Sequence, residues 1–197
     1  MKKIFIVGLM LCFGGSAFAQ NSKYIASLTA YQNNYVKVHE VVKKADKKYF
    51  RFFPIDNSYN INCPFEKIHD TVGFDMKTSA NTLKHFYKYG KISFTIHDTA
   101  AILYIYQGKD LIATEQYKEY LFVPFTDPTN GNDSYGSGRY LEFYMKNIKN
   151  GRLQVDFNKA YNPYCAYAAG FRCPIPPKEN HLPVAIKAGE KTFAKPH

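Results

Sequence analysis

The chain has 197 residues and a formal net charge of +10, and 46% of its residues are hydrophobic. This length suits one domain with a real hydrophobic core, and no internal repeat, low-complexity tract or linker divides the sequence. After residue 19 no stretch approaches the roughly 20 apolar residues that a membrane helix requires, which excludes a membrane-spanning helix from that part of the sequence.

The first 19 residues have the pattern of a secretory signal peptide. Two lysines precede an apolar run over residues 4–13 that is too short to span a membrane, and residues 17–19 (Ala-Phe-Ala) form a small-x-small cleavage signal. We therefore predict cleavage after residue 19 and an exported product, either periplasmic or extracellular. A lipoprotein is the alternative because Cys12 lies in the apolar run, but Leu11 precedes it where a lipobox usually has a small residue.

Removal of the predicted signal peptide takes away two lysines and no acidic residue, so the remaining 178 residues have a net charge of +8. Much of the excess comes from one stretch, namely Lys37, Lys43, Lys44, Lys47, Lys48 and Arg51. Such a basic surface suits nucleic acid or an anionic envelope surface, and it is also typical of a solvated helix face. Export argues against nucleic acid, so the expected partner is a small ligand or an envelope component.

A helix is predicted over residues 22–48, because apolar side chains recur there at spacings of three and four. The stripe consists of Tyr24, Leu28, Tyr31, Tyr35, Val38 and Val42. Packing against the body of the domain is favoured over a coiled-coil seam. We divide the chain into a signal peptide (1–19), an N-terminal helix (20–48) and a single β-rich domain (49–197).

From residue 49 onward the pattern changes to short strands separated by Gly, Asn, Asp and Pro. The predicted strands are residues 49–55, 72–76, 92–96, 101–107, 119–125, 139–145, 152–158 and 182–186. Residues 97–100 and 147–151 have the composition of hairpin turns. The sequence thus predicts a mainly β fold, an antiparallel sandwich or partly open barrel with an N-terminal helix.

The longest irregular segment between strong strands, residues 126–138 (TDPTNGNDSYGSG), matches neither a P-loop nor an EF-hand. Asp127 extends the apolar face of the strand before it, and Arg139 extends the apolar face of the strand after it. Charges that point toward a core are costly unless they are paired. We predict that the two side chains lie close together, as a structural ion pair or as part of a ligand site.

Further polar residues follow at the end of the strand over 152–158. Asp156 and Asn158 share its polar face, and Tyr161-Asn162-Pro163 then ends it, since proline cannot donate to a strand ladder. The candidate ligand-binding residues are therefore Asp127, Arg139, Asp156, Asn158, Tyr161 and Asn162.

Three cysteines remain after the signal peptide. Cys165 and Cys173 enclose seven residues, and a disulfide closing that loop would stabilise the fold by about 2–3 kcal/mol. Together with His181 they match no usual zinc spacing, and a cysteine nucleophile would need a histidine base that the sequence does not place. We predict a disulfide between Cys165 and Cys173, a lone thiol at Cys63, and no metal or cofactor.

Five ordered motifs between residues 49 and 191 resemble one bacterial and archaeal family, known as domain of unknown function 1684. They are FFPID, YLFVPFTDPTNG, SYGSGRYL, DFNKAYNPYCAY and CPIPPKENHLPVAIKAGEK. The resemblance implies no activity. The polar residues that it offers for a site are Asp127, Thr129, Tyr135, Arg139, Asp156, Asn158, Tyr161, Asn162, Cys165, Cys173 and Asn180. Ser137 departs from the run of three glycines that the family has before the arginine.

These features favour a non-enzymatic exported domain that binds a small polar or anionic ligand, or an envelope component. A hydrolase-like enzyme that uses Cys165 or Asp156 is one alternative. A purely structural domain, in which the motifs fix loops, is the other. The sequence does not set the oligomeric state.

Overall fold

A computed structural model describes residues 14–195 of the chain, with side chains from residue 20 onward. The predicted signal-peptide core and Cys12 lie outside the described residues. The first element is helix α1, Gly14–Val38. Among the described residues no helix is both long and apolar enough to cross a membrane.

Helix α1 ends at Val38 and not at the predicted Lys48. The chain bends at His39, whose Nδ1 accepts a hydrogen bond from the backbone N–H of Val42 at 3.1 Å. This side chain takes up a backbone donor that helix continuation would use, which favours termination. A short 3-10 helix, Lys44–Tyr49, follows.

The described residues form eight strands and one further α-helix, the short α2, Lys109–Ile112. The strands are β1 Asn60–Lys67, β2 Phe74–Lys77, β3 Leu83–Ile96, β4 Thr99–Gly108, β5 Tyr120–Phe125, β6 Arg139–Tyr144, β7 Ile148–Lys149 and β8 Arg152–Asp156. They make one antiparallel sheet in the order β6-β5-β4-β3-β1-β8-β7, with β2 also paired to β3. The mainly β fold with an N-terminal helix is confirmed, and the sheet is open, so it is not a closed barrel.

Both predicted hairpin turns are present. His97 and Asp98 join β3 to β4 with positive φ, and Asn150-Gly151 join β7 to β8 in the same way. Such paired left-handed residues match the twist of the flanking strands.

Two predicted strands are wrong, and two observed strands, β1 and the two-residue β7, were not predicted. Residues 49–55 and 182–186 form no strand: Phe53 N–H donates to the carbonyl of Gly189 in an irregular segment, and Ile186 N–H donates to the Asp127 carboxylate and not to a neighbouring strand. The alternation of apolar and polar residues in these two segments reflects burial of the apolar side chains against the core. Strand β1 was not predicted because Pro64 lies within it, and proline is rare inside strands. Pro64 is the residue at which the pairing of β1 with β8 ends.

The main core lies on one face of the sheet and is covered by the C-terminal segment. Its fully buried members include Leu103, Ile105, Leu121, Val123, Phe125, Leu153, Val155, Phe157, Leu182 and Ile186. A second, smaller aromatic cluster consists of Met76, Phe86, Tyr106, Phe122 and Tyr140. Tyr161 packs against this second cluster and also contacts Tyr35 of α1, with ring centroids 6.2 Å apart. Helix α1 therefore lies over the side of the sheet that carries the smaller cluster.

Candidate functional site

A cavity of about 600 Å³ lies between the C-terminal half of α1 and strand β6. Most of the side chains around it are aromatic or charged, and the lining includes Tyr31, Tyr35, His39, Glu40, Lys84, Tyr140, Glu142, Tyr161, Tyr164, Phe171 and Arg172. We call it the helix cavity. A smaller cavity of about 270 Å³ shares five lining residues with it, Lys84, Tyr140, Glu142, Tyr161 and Pro174. Concave sites of this size and aromatic character are typical of small-molecule binding.

His39 is a buried residue of the helix cavity. Its Nε2 has no hydrogen-bond partner among the described residues, whereas its Nδ1 accepts from Val42. Burial, and secondarily the charge of Lys47, lowers the pKa of the His39 imidazole to about 4. The ring is therefore neutral at pH 7. Because Nδ1 is an acceptor, the proton is on Nε2, which leaves one donor free for a ligand.

A fully buried carboxyl group, that of Glu190, lies behind this region. Tyr167 donates to it at 2.7 Å, Tyr35 at 3.3 Å and the Asn162 backbone N–H at 3.0 Å. None of the ion pairs among the described residues includes it. Burial raises the pKa of Glu190 to about 7, although these hydrogen bonds oppose the shift. The tyrosines connect Glu190 to His39, since the Tyr167 and His39 ring centroids are 4.6 Å apart.

The sequence reasoning missed Glu190. A signal was available in the glycine that precedes it. Gly189 has a φ of +77°, and a Cβ there would lie 2.5 Å from the Ala160 carbonyl oxygen. A glycine that the backbone requires, followed by a carboxylate inside a long motif, indicates a tightly packed chain and not a loose tail.

Glu142 on β6 is a second carboxylate that the sequence reasoning missed. It accepts a hydrogen bond from the Tyr161 hydroxyl, and it lies between Tyr140 and Tyr144 on the polar side of the strand. The charge of Glu142 contributes, after burial, to the raised pKa of both Tyr161 and Tyr120. The alternation of side chains along the strand predicts that Leu141 faces the core. Its neighbour Glu142 therefore faces the opposite side of the sheet.

The family model described as "Protein of unknown function (DUF1684)" matches residues 46–191 of the chain. The chain belongs to this family. A solution NMR structure of an uncharacterised protein from Haloarcula marismortui is similar, with 26% sequence identity and a TM-score of 0.65. That match covers 88% of this chain and 97% of the other. No curated protein matches the chain.

The DUF1684 match contains only part of the helix cavity. Tyr140, Glu142 and Tyr161 lie within it, whereas Tyr35 and His39 on or beside α1 precede residue 46. The cavity therefore combines a wall from the DUF1684 domain with a wall from the N-terminal helix. Function has to be inferred from the side chains of both.

The predicted proximity of Asp127 and Arg139 in the DUF1684 domain is confirmed. Arg139 Nη2 lies 2.8 Å from Asp127 Oδ2, and both side chains are fully buried. The same guanidinium donates to the carbonyls of Ala188 and Ile186. Asp127 accepts the Ile186 N–H at 3.1 Å, so the pair fastens the C-terminal segment onto the sheet. Neither charged residue borders the helix cavity, and a ligand role for them stays a prediction without geometric support.

Asp156 and Asn158 do not join Arg139. They form a separate network, in which Tyr24 of α1 donates to Asp156 at 3.1 Å and Asn158 donates to the Asp56 carbonyl at 2.8 Å. Both side chains are buried, and Asp156 also borders another cavity, of about 730 Å³, beside the middle of α1. This network holds α1 against the end of β8.

Of the other two predicted site residues, Tyr161 borders the helix cavity, whereas Asn162 is fully buried. The side chain of Asn162 donates to the Lys191 carbonyl at 2.8 Å, and its backbone N–H donates to Glu190. The structure therefore brings Tyr161 to a ligand-accessible position and gives Asn162 a packing position.

The predicted disulfide between Cys165 and Cys173 is confirmed, with Cα atoms 6.3 Å apart. Ser79 Oγ lies 3.0 Å from Cys165 Sγ. With its sulfur in a disulfide, Cys165 is not available as the thiolate nucleophile of the hydrolase alternative. The described residues contain no group of three or more His, Cys, Asp or Glu residues that could hold a metal ion. Cys63 is a buried free cysteine, and burial raises its thiol pKa to about 12.

Thiol labelling tests this assignment of the cysteines. We expect the folded, non-reduced protein to take up no label, because Cys63 is buried and the other two sulfurs are bonded. Denaturation without reductant should expose one thiol, and denaturation with reductant should expose three. The measurement is mass spectrometry after alkylation of the chain that lacks residues 1–19. Labelling of Cys165 in the folded protein without reductant would contradict the disulfide.

Proposed function

We propose that this protein is an exported, non-enzymatic binding protein and that its small polar ligand occupies the helix cavity. The observation that carries the proposal is the buried Nε2 donor of His39, which has no partner among the described residues and belongs to a side chain that lines the cavity. A buried polar group without a hydrogen bond costs free energy, and a ligand oxygen at this position would remove that cost.

The lining of the cavity supports a ligand with a polar or charged group and an apolar body. Tyr31, Tyr35 and Tyr140 offer ring surface, and such side chains bind small molecules at low entropic cost. Lys84 and Arg172 place positive charge on the same cavity, which suits an acceptor group that is anionic. The sequence of residues 1–19 and the disulfide both agree with export into an oxidising compartment.

The test is a screen of polar metabolites by ligand-observed NMR, followed by titration of each hit against a His39→Phe variant. Phenylalanine keeps the aromatic contacts of His39 with Phe50 and Tyr167, but it lacks the Nε2 donor and the Nδ1 acceptor that Val42 uses. We expect the hits to lose about tenfold in affinity, as for one hydrogen bond to a buried donor.

The matched control is His69→Phe, since His69 is exposed and does not border the helix cavity. It should leave the affinities unchanged. In the wild-type protein, the His39 Nε2 resonance should shift when a hit is added. Equal affinity of every hit for wild type and His39→Phe, with no shift at His39, would rule out the proposal.

A further inference from the structure

Glu142 is an anionic group at the junction of three cavities. It borders the helix cavity, the smaller cavity that adjoins it and the cavity of about 730 Å³ beside the middle of α1. Its side chain is exposed, and no lysine, arginine or histidine among the described residues lies within ion-pair distance of it. The chain thus presents a carboxylate to the cavities without supplying its counter-charge.

Tyrosine rings surround this end of the helix cavity. The rings of Tyr140 and Tyr161 are nearly perpendicular, with an interplanar angle of 89° and centroids 5.8 Å apart. Tyr35 contributes a third ring, 6.2 Å from that of Tyr161. The faces of aromatic rings attract cations within about 6 Å of the centroid, and a ring set beside a carboxylate is the arrangement that recognises substituted ammonium groups.

The hydroxyl that contacts Glu142 leaves its negative charge in place. Tyr161 donates a hydrogen bond to the carboxylate, and burial together with Glu142 raises the pKa of Tyr161 well above its ordinary value. The tyrosine therefore keeps its proton at neutral pH. A neutral donor orients the carboxylate without neutralising it.

We propose that the Glu142 end of the helix cavity binds the ammonium group of a small zwitterion whose carboxylate lies at the His39 end. The inference rests on the proposed function and names the class of its ligand. The lining carries two cationic residues, Lys84 and Arg172, and two anionic residues, Glu40 and Glu142. A ligand with one charge of each sign meets this balanced lining, whereas a simple anion or cation leaves one sign unmatched.

An isosteric pair of probes isolates the ammonium charge. Glycine betaine and 3,3-dimethylbutyrate share a carboxylate and nearly the same shape, but a quaternary nitrogen in the first is a carbon atom in the second. We expect calorimetric titration of the wild-type protein to give betaine about a tenfold higher affinity, as for a cation held by aromatic rings and a carboxylate. In Glu142→Gln the two affinities should become equal. Glu142 is exposed, so this substitution leaves the core unchanged.

Two further variants separate this inference from the proposed function. His39→Phe should lower the affinity for both probes by the same factor, so the ratio of the two affinities is preserved. Glu40→Gln removes the other carboxylate of the cavity and should also preserve the ratio. Three outcomes would each overturn the assignment. They are equal affinities of the two probes in the wild type, no betaine binding at millimolar concentrations, and loss of the affinity difference in Glu40→Gln instead of in Glu142→Gln. If the two probes bind equally well but both lose affinity in His39→Phe, the binding function stands and only the ligand class is wrong.

Discussion

Asp127→Asn is expected to lower the free energy of unfolding by about 3–5 kcal/mol, because it leaves the buried guanidinium of Arg139 without a counter-charge. The asparagine keeps the shape of the side chain, so the loss reports charge and not volume. Arg139→Met should cost a similar amount. It leaves Asp127 unpaired and removes the donors to the Ala188 and Ile186 carbonyls.

Urea denaturation of the two single variants and the double variant gives the coupling between the side chains. The double variant should be less destabilised than the sum of the singles, since neither charge is then left alone. It should remain less stable than the wild type, because the two carbonyls still lack donors. Glu115→Gln is the matched control, since the Glu115–Lys118 pair is exposed and should contribute less than about 0.5 kcal/mol. A loss in Asp127→Asn as small as in this control would contradict a structural role for the pair.

The Asp127–Arg139 pair was predictable because the relation between its members is local. Strands β5 and β6 form a hairpin in which Phe125 is paired with Arg139, so the period of two along each strand fixes which side chains share a face. Where the alternation was clean and the partner was near in sequence, the pattern alone indicated which side chains share a face.

The helix cavity was not predictable in this way, since its walls come from distant parts of the chain. His39 precedes the DUF1684 match, Lys84 lies on β3, and Tyr161 follows β8. No periodicity connects them. Moreover, Lys47 and its neighbours continue a helix-like composition past Val38, which concealed the end of α1 and the packing of His39 on Phe50 and Tyr167.

The two titratable groups of this region should affect stability in opposite directions. Glu190 has a folded pKa of about 7, above its ordinary value of 4.5. Between these values the unfolded chain loses the proton while the folded chain keeps it, so stability falls as the pH rises from about 4.5 to 7. The total change corresponds to about 3 kcal/mol.

His39 acts with the opposite sign. Its folded pKa of about 4 lies below the ordinary value of 6.5. Between these values the unfolded chain takes up a proton that the folded chain does not, so stability falls as the pH drops from about 6.5 to 4. From about pH 4.5 to 6.5 the two contributions oppose each other, so this pair of groups flattens the profile of the wild type.

Each single variant should therefore reveal the slope of the other group. We expect Glu190→Gln to lose stability relative to the wild type as the pH falls from 7 to 4.5, and His39→Phe to gain stability relative to the wild type over the same interval. Denaturant unfolding at closely spaced pH values measures both differences, and subtraction of the wild-type curve removes the groups that titrate alike in all three proteins. Parallel curves for the wild type and Glu190→Gln would mean that Glu190 is ionised in the folded state throughout this range. In that case the buried tyrosine hydrogen bonds, and not protonation, would be what stabilises its carboxyl group.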